Sequence, residues 1–290
     1  MTDPGPLDPA FDRLVFESAH LRVGRFRATP GHPRFEDSGP AGHDLFVFPR
    51  TAVAIQHEGQ PPFVAGPPIV TFYNRGQRYR RGRVSPDGDR CEWFALAPAL
   101  LRGIVEDVDP AAADGPAPFR YTHGPSDAAT YLAQRRFVEQ CDGVSPPDTL
   151  AAEETAVGLA RQVMRRAVAA WEGRGGRTDR ADRRRRQRDL VEHAKAVLMR
   201  RYQEPLTLAD LAAAVGATPF HLCRSFRAVT GWRLHQFRDQ VRVRTALEMI
   251  PGRRGDLTGL ALELGYSSHS HFTEAFRRSF GVPPSALTRR

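Results

Sequence analysis

Residues 207–231 read TLADLAAAVGATPFHLCRSFRAVTG and residues 256–281 read DLTGLALELGYSSHSHFTEAFRRSFG; the second stretch writes the first again. Leu208, Leu211, Ala212 and Gly216 recur 49 positions later as Leu257, Leu260, Ala261 and Gly265. Past the glycine the second copy is one residue longer. Thr218, His221, Leu222, Phe226, Arg227 and Gly231 then match Ser268, His271, Phe272, Phe276, Arg277 and Gly281 at an offset of 50. Self-similarity at a fixed period marks one supersecondary unit used twice.

Each conserved step of the repeat has a physical task. Thr207 and Asp256 are residues that cap a helix by accepting from its free N–H groups. The Ala-rich faces 209–214 and 261–264 allow a second helix to cross closely, and Gly216 and Gly265 stand where the chain must turn through positive φ. Thr218 or Ser268 caps the next helix, with Pro219 suited to its first turn. Leu222/Phe226 and Phe272/Phe276 are i,i+4 pairs that hold that helix to its partner, leaving the opposite face free. This is a helix-turn-helix, twice. Between the copies Phe237, Val241, Ala246 and Met249 form the apolar stripe of one long helix. About 18 to 20 residues span roughly 30 Å, and successive major grooves on one face of DNA lie about 34 Å apart. One chain would therefore read two neighbouring grooves.

At this point residues 190–290 resemble the DNA-binding domain of AraC/XylS-type transcription regulators, most of all in the run 265–287, GYSSHSHFTEAFRRSFGVPPSAL. The resemblance implies sequence-specific promoter binding to double-stranded DNA, contact with RNA polymerase, and activation in preference to repression. Carried over position by position, it assigns base reading to Phe220, Cys223 and Arg224 on the first recognition helix and to His269, Ser270, Thr273 and Glu274 on the second. Arg227, Arg238, Arg242, Arg277 and Arg278 are the expected phosphate neighbours. Arg224 suits the O6/N7 edge of guanine and Phe220 a thymine methyl. His269 replaces a commoner glutamine, and Glu274 either accepts from cytosine N4 or repels phosphate. Gly259 costs its short helix about 1 kcal/mol against alanine. The second unit is thus expected to dock more loosely. His221 and His271, recurring beside core residues, read as packing or phosphate residues rather than metal ligands.

Charge agrees. Residues 187–290 hold 16 Lys/Arg against 9 Asp/Glu and residues 173–186 hold 7 against 2, whereas residues 1–172 hold 19 against 22. The positive field lies where a nucleic acid would bind. Cys91, Cys141 and Cys223 are far apart with no metal or disulfide spacing, which suits a reducing cytoplasm. No signal peptide and no long apolar run is legible, so neither export nor a membrane is expected.

Ahead of the repeat, residues 1–10 are Pro-rich and expected to be loose. Short strands follow at 14–17, 21–27, 44–48, 51–57, 69–73, 79–84 and 91–96, separated by Gly/Pro/Asn turns, as in a small barrel or jelly roll. It resembles the cupin-like sensor domain of the same family, which implies a small-molecule effector inside; Phe46, Tyr73 and Trp93 are the expected lining. A metal-dependent cupin enzyme needs a His-x-His pair with further ligands, and His32, His43, His57 and His123 do not make one. Helical periods cover 127–141 and 149–171, the second with a stripe Leu150, Val157, Ala160, Met164, Ala167 and Trp171 that fits either a homodimer or packing on the barrel. Residues 173–186 read as a flexible basic linker.

The expected protein is an α+β multidomain regulator: a cupin-like sensor at 1–122, a helical dimerisation segment at 123–172, the linker, and an all-α DNA-binding domain at 187–290 with two helix-turn-helix units. It needs no cofactor for binding and no catalytic residue is assigned. The rival readings are a thiol-based redox regulator acting through Cys91 or Cys223, a metal-dependent cupin fused to the same DNA-binding domain, and an architectural protein that binds DNA without discrimination.

Overall fold

The structure, a computed structural model, describes residues 11–32, 35–37, 39–113, 115–172, 181–253 and 255–288. The Pro-rich start 1–10 and positions 173–180 of the expected linker lie outside them. The chain divides into two compact units, Met1–Gly175 and Gly176–Arg290.

The first unit is built on two antiparallel sheets. β1 (Asp12–Glu17), β2 (Leu21–Ala28), β8 (Asp89–Leu96), β3 (Leu45–Pro49), β6 (Ile69–Tyr73) and β9 (His123–Pro125) form the larger, in the order β1-β2-β8-β3-β6-β9. β5 (Phe63–Ala65), β4 (Val53–His57) and β7 (Tyr79–Arg83) form the smaller. Side chains alternate faces along a strand, and the residues obey it. Phe26, Val47, Tyr73, Cys91, Trp93 and Ala95 meet Val53, Ile55, Phe63 and Ala65 of the smaller sheet in one core. Their neighbours Phe46, Phe48, Phe72 and Phe94 point the other way, all at most 2% exposed. There Phe46 stacks on Phe94 at 5.0 Å, and Phe94 on Phe137 of α3 (Ala128–Cys141) at 6.2 Å. Each aromatic so buried contributes about 1.5–3 kcal/mol. β3 is covered on both faces, which is why it reads as a nearly unbroken apolar run, as does the second half of β8, Trp93–Leu96.

α4 (Thr149–Glu172) lies on the same sheet. Ala156, Ala160, Val163, Met164 and Ala167 are at most 1% exposed, and a Cβ on Gly124 of β9 would stand 2.6 Å from that of Ala167. The stripe that fitted two uses is therefore spent largely on the unit's own sheet, with Leu150 and Trp171 left exposed. All seven expected strands form. The three-residue β5 and β9, too short to show a period, are additional, and so is α1 (Pro98–Val108), whose Leu101, Ile104 and Val105 are buried. α2 is the single turn Pro110–Ala113.

The second unit is helical: α5 (Ala181–Arg200), α6 (Leu208–Ala214), α7 (Pro219–Thr230), α8 (Leu234–Met249), α9 (Leu257–Glu263) and α10 (His269–Phe280). α5 begins six residues before the expected Gln187, so the run Arg183–Arg186 is helical and not part of a flexible linker. Arginine is a good helix former, and nothing in 181–187 breaks the period. Among the described residues no helix is long and apolar enough to cross a membrane.

His57, the last residue of β4, is 1% exposed, and burial lowers its pKa to about 4. The unfolded chain takes up a proton near pH 6.5 that the folded one refuses, so stability present at neutral pH is lost as the pH falls from about 6.5 towards 4. Replacing His57 with Phe should flatten the acid limb of the unfolding curve by on the order of 1–3 kcal/mol relative to the wild type. Asp12 and Asp89, raised by burial, titrate in both proteins and cancel in the comparison. Identical acid limbs, measured by thermal unfolding against pH, would show that His57 carries its charge without penalty.

Candidate nucleic-acid interface

The repeat is reproduced in atomic detail. Thr207 caps α6 by accepting from the Asp210 N–H at 3.1 Å, while Asp210 accepts from the Thr207 N–H at 3.0 Å. Asp256 caps α9, accepting from the Gly259 N–H at 2.8 Å. Thr218 caps α7 through the His221 N–H at 3.3 Å and Ser268 caps α10 through the His271 N–H at 3.2 Å. α7 and α10 have 12 residues each and end on Gly231 and Gly281, whose φ is 75° in both. Only glycine holds that conformation cheaply.

Each of these helices buries one side. Leu222 and Phe226 of α7, and Phe272 and Phe276 of α10, are 0% exposed. Phe226 meets Phe237 of α8 edge-on at 5.4 Å, and Phe276 meets Phe280 at 4.7 Å. The outward faces are therefore fixed by exclusion. On α7 they carry Phe220, 77% exposed, with Cys223, Arg224 and Arg227, all exposed. On α10 they carry His269, Ser270, Glu274, Arg277 and Arg278, exposed, and Thr273, half-buried, whose hydroxyl lies 3.4 Å from His269 Nε2. Each set expected to read bases thus occupies one helix face with guanidinium groups beside it. Such a face presents donors, acceptors and positive charge together, which is what a groove edge and its phosphates require. Glu274 sits 4.0 Å from Arg278, which also lies 4.0 Å from Asp239, so two carboxylates partly offset that cation.

Three expected phosphate contacts, Arg227, Arg277 and Arg278, lie on these faces; two do not. Arg242 is 5% exposed, donates Nε–H to the Tyr202 carbonyl at 2.6 Å and lies 5.3 Å from the centre of the Tyr266 ring. Burial lowers its pKa. It is a brace inside the unit, not a surface cation. Arg238 is half-buried and donates to the Leu206 carbonyl at 3.3 Å. Arg244 is 0% exposed, Arg253 pairs with Glu263, Arg233 is exposed, and Arg254 lies outside the described residues. The sequence hid this because α8 is buried on more than one side: Val241, Arg242, Val243 and Arg244 are consecutive buried residues. At 16 residues α8 spans ~24 Å, shorter than the sequence suggested.

Both histidines of the repeat are exposed, and His271 also meets Tyr266 edge-on at 5.3 Å and lies 3.3 Å from the Ser267 hydroxyl. Among the described residues no group of three or more His, Cys, Asp or Glu side chains is placed to hold a metal. The expected effector lining is divided. Tyr73 and Trp93 face the inter-sheet core, Phe46 faces the helices, and Trp93 donates to Asp12 at 2.6 Å. Sequence reasoning passed over His57, although the alternation from Val53 through Ile55 to His57 places it on the inner face.

Comparison with known proteins bears on the second unit. A family model described as a helix-turn-helix domain matches residues 211–290. The HTH-type transcriptional regulator GlxA of Rhizobium meliloti is 32% identical over 88 residues, covering 30% of this chain and 27% of GlxA. The regulatory protein SoxS of Salmonella typhimurium is 31% identical over 87 residues, covering 30% of this chain and 81% of SoxS. Among solved structures, ToxT of Vibrio cholerae aligns over 93% of this chain and 98% of its own at 9% identity, with a TM-score of 0.38. The chain spans about a quarter to two fifths of the first curated relatives it matches, 27% of GlxA and 40% of LumQ of Photobacterium leiognathi.

Arg242→Ala should lower the unfolding free energy of the second unit by roughly 1.5–3 kcal/mol, the worth of a hydrogen bond to a charged group, whereas Arg224→Ala should change it by under about 0.5 kcal/mol. Urea unfolding of both variants decides it, and equal midpoints would return Arg242 to the surface.

Proposed function

The chain belongs to the AraC/XylS family of transcription regulators, and on that premise we propose that it is a sequence-specific DNA-binding regulator, an activator, whose second unit reads two neighbouring major-groove segments of one duplex. The observation that carries this reading is the pairing of α7 and α10. They have the same length, caps and terminal glycine conformation, and each exposes a polar face beside guanidinium groups. In this reading Phe220, Cys223 and Arg224 contact base edges in one half-site and His269, Ser270, Thr273 and Glu274 in the other. Arg227, Arg277 and Arg278 take phosphates.

The first unit is a cupin-like sensor for a small-molecule effector, and occupancy alters how DNA and RNA polymerase are engaged in the cytoplasm. A homodimer would use α4 through the part of its apolar stripe that the sheet leaves open, Leu150 and Trp171, which are exposed. The two cysteines of the redox alternative differ in standing. Burial holds the Cys91 thiol well above its ordinary pKa, which suppresses the reactive thiolate. Cys223 is exposed on the reading face, where oxidation would obstruct docking without any sensor being needed.

Arg224→Ala is expected to cost about 1–3 kcal/mol and to relax base choice in one half-site, whereas Arg278→Ala weakens all sequences alike and lowers the salt slope by about one. Affinity measured at several salt concentrations on a duplex selected from random sequence tests both. An Arg224→Ala protein that bound and discriminated as well as wild type would remove the base-reading assignment, and equal wild-type affinity for selected and random DNA would favour the architectural reading.

A further inference from the structure

Strand register sets a row of arginines across the first unit. Arg27 of β2 stands directly opposite Arg90 of β8, and on the other side of β8 the Arg50 N–H donates to the Arg90 carbonyl at 2.7 Å. Their neighbours along the strands fix the face. Phe26 and Cys91 belong to the inter-sheet core, so Arg27 and Arg90 point to the opposite side, where Arg25 and Glu92 also meet. Neighbouring strands are only about 4.8 Å apart. Like charges held directly opposite one another are destabilising, so the placement calls for a reason.

The acids nearby do not supply it. Glu92, 0% exposed, takes Arg25 at 3.9 Å, Arg135 at 3.1 Å and Arg50 as well. Asp142 takes Arg13 at 2.7 Å together with Arg25, and Glu139 takes Arg135 at 2.8 Å. These carboxylates are shared among the arginines beside them. The guanidinium groups of Arg27 and Arg90 have no carboxylate partner among the described residues. Arg27 is exposed and Arg90 half-buried. The surplus of positive charge is local, for residues 1–172 as a whole hold 19 Lys/Arg against 22 Asp/Glu.

A partner with several negative charges answers it. Guanidinium groups bind phosphate through paired N–H donors. The row lies on a strand surface and is exposed at Arg27. A single small anion gains little there, whereas a duplex brings phosphates side by side and releases counterions when fixed cations replace them. We propose that the row Arg27, Arg90 and Arg50 docks the phosphate backbone of double-stranded DNA, giving the first unit its own hold on nucleic acid besides the reading helices of the second. The inference rests on the reading of the chain as a DNA-binding regulator, and adds to it a contact that reads no sequence.

The test uses the full chain, with affinity for selected and random duplexes measured at several salt concentrations. Each phosphate contact adds about 0.9 to the slope of log affinity against log salt, so the double variant Arg27→Gln/Arg90→Gln should lower that slope by about two and leave the preference for the selected duplex unchanged. Lysine at both positions keeps the charges and should restore the slope. The glutamine pair removes a like-charge contact and should melt at or above the wild-type temperature. Should it melt lower, Arg27→Gln alone, at an exposed position, takes its place with an expected loss of about one. An unchanged slope would overturn the proposal. If inorganic phosphate then stabilised wild type but not the variant, the site would belong to a small phosphorylated ligand; if only transcription were lost, to an acidic protein. A fall in slope that came with a lost preference for the selected duplex would also count against it, since backbone contacts carry no base choice. A wild-type protein without that preference, whose slope still fell in the variant, would support the site and contradict the base-reading proposal.

Discussion

The Arg242 guanidinium holds the second unit in register. From α8 it reaches the Tyr202 carbonyl just beyond α5, the helix against which α6 and α7 pack, and it covers the ring of Tyr266 in the turn of the second helix-turn-helix. Gly265 completes the joint. Its φ is +82°, and a Cβ there would fall 2.2 Å from the Gln203 carbonyl oxygen and 2.6 Å from the Arg242 guanidinium. No other residue meets both demands, positive φ and contact distance. The turn of one reading unit is thereby pressed against the chain that supports the other. A buried cation without its acceptor would be expensive, so the arrangement resists small adjustments.

That joint gives the repeat its functional meaning. Two helix-turn-helix units on a flexible tether would search independently; two units fixed through a shared scaffold present their faces at one set spacing. The freedom lost in binding is then small, and the binding energy of the second face adds to that of the first with little further cost in entropy. The two faces differ in charge. Glu274 places a carboxylate beside Arg278 on α10, whereas the outward face of α7 described above carries no acid, so tighter contact with phosphate is expected of the first helix.

Much of this was legible in the sequence, for identifiable reasons. Caps, glycines and i,i+4 aromatic pairs are local signals, and every helix of the repeat followed them. Strand alternation was equally local, and the seven longer strands appear where the pattern put them. What stayed hidden depended on more than one element. Arg242 and Arg238 look like surface cations until the carbonyls of Tyr202 and Leu206 are seen beside them. The α4 stripe fitted two partners, and only the three-dimensional structure shows Ala167 of that stripe against Gly124 of β9. Phe46 was grouped with Tyr73 and Trp93 by composition, although register sends it to the opposite face of the sheet. His57 carried a signal that went unused, since its place at the end of an alternating strand already marked it as internal.

The account depends on α7 and α10 being held at one spacing by α8 and its buried arginine. The most direct measurement is affinity for a selected duplex against the same duplex with five base pairs inserted between its two half-sites, half a turn of the double helix. A rigid pair of reading helices predicts that the lengthened duplex binds no better than one carrying a single half-site. Undiminished affinity for it would contradict the fixed spacing from which the rest is argued.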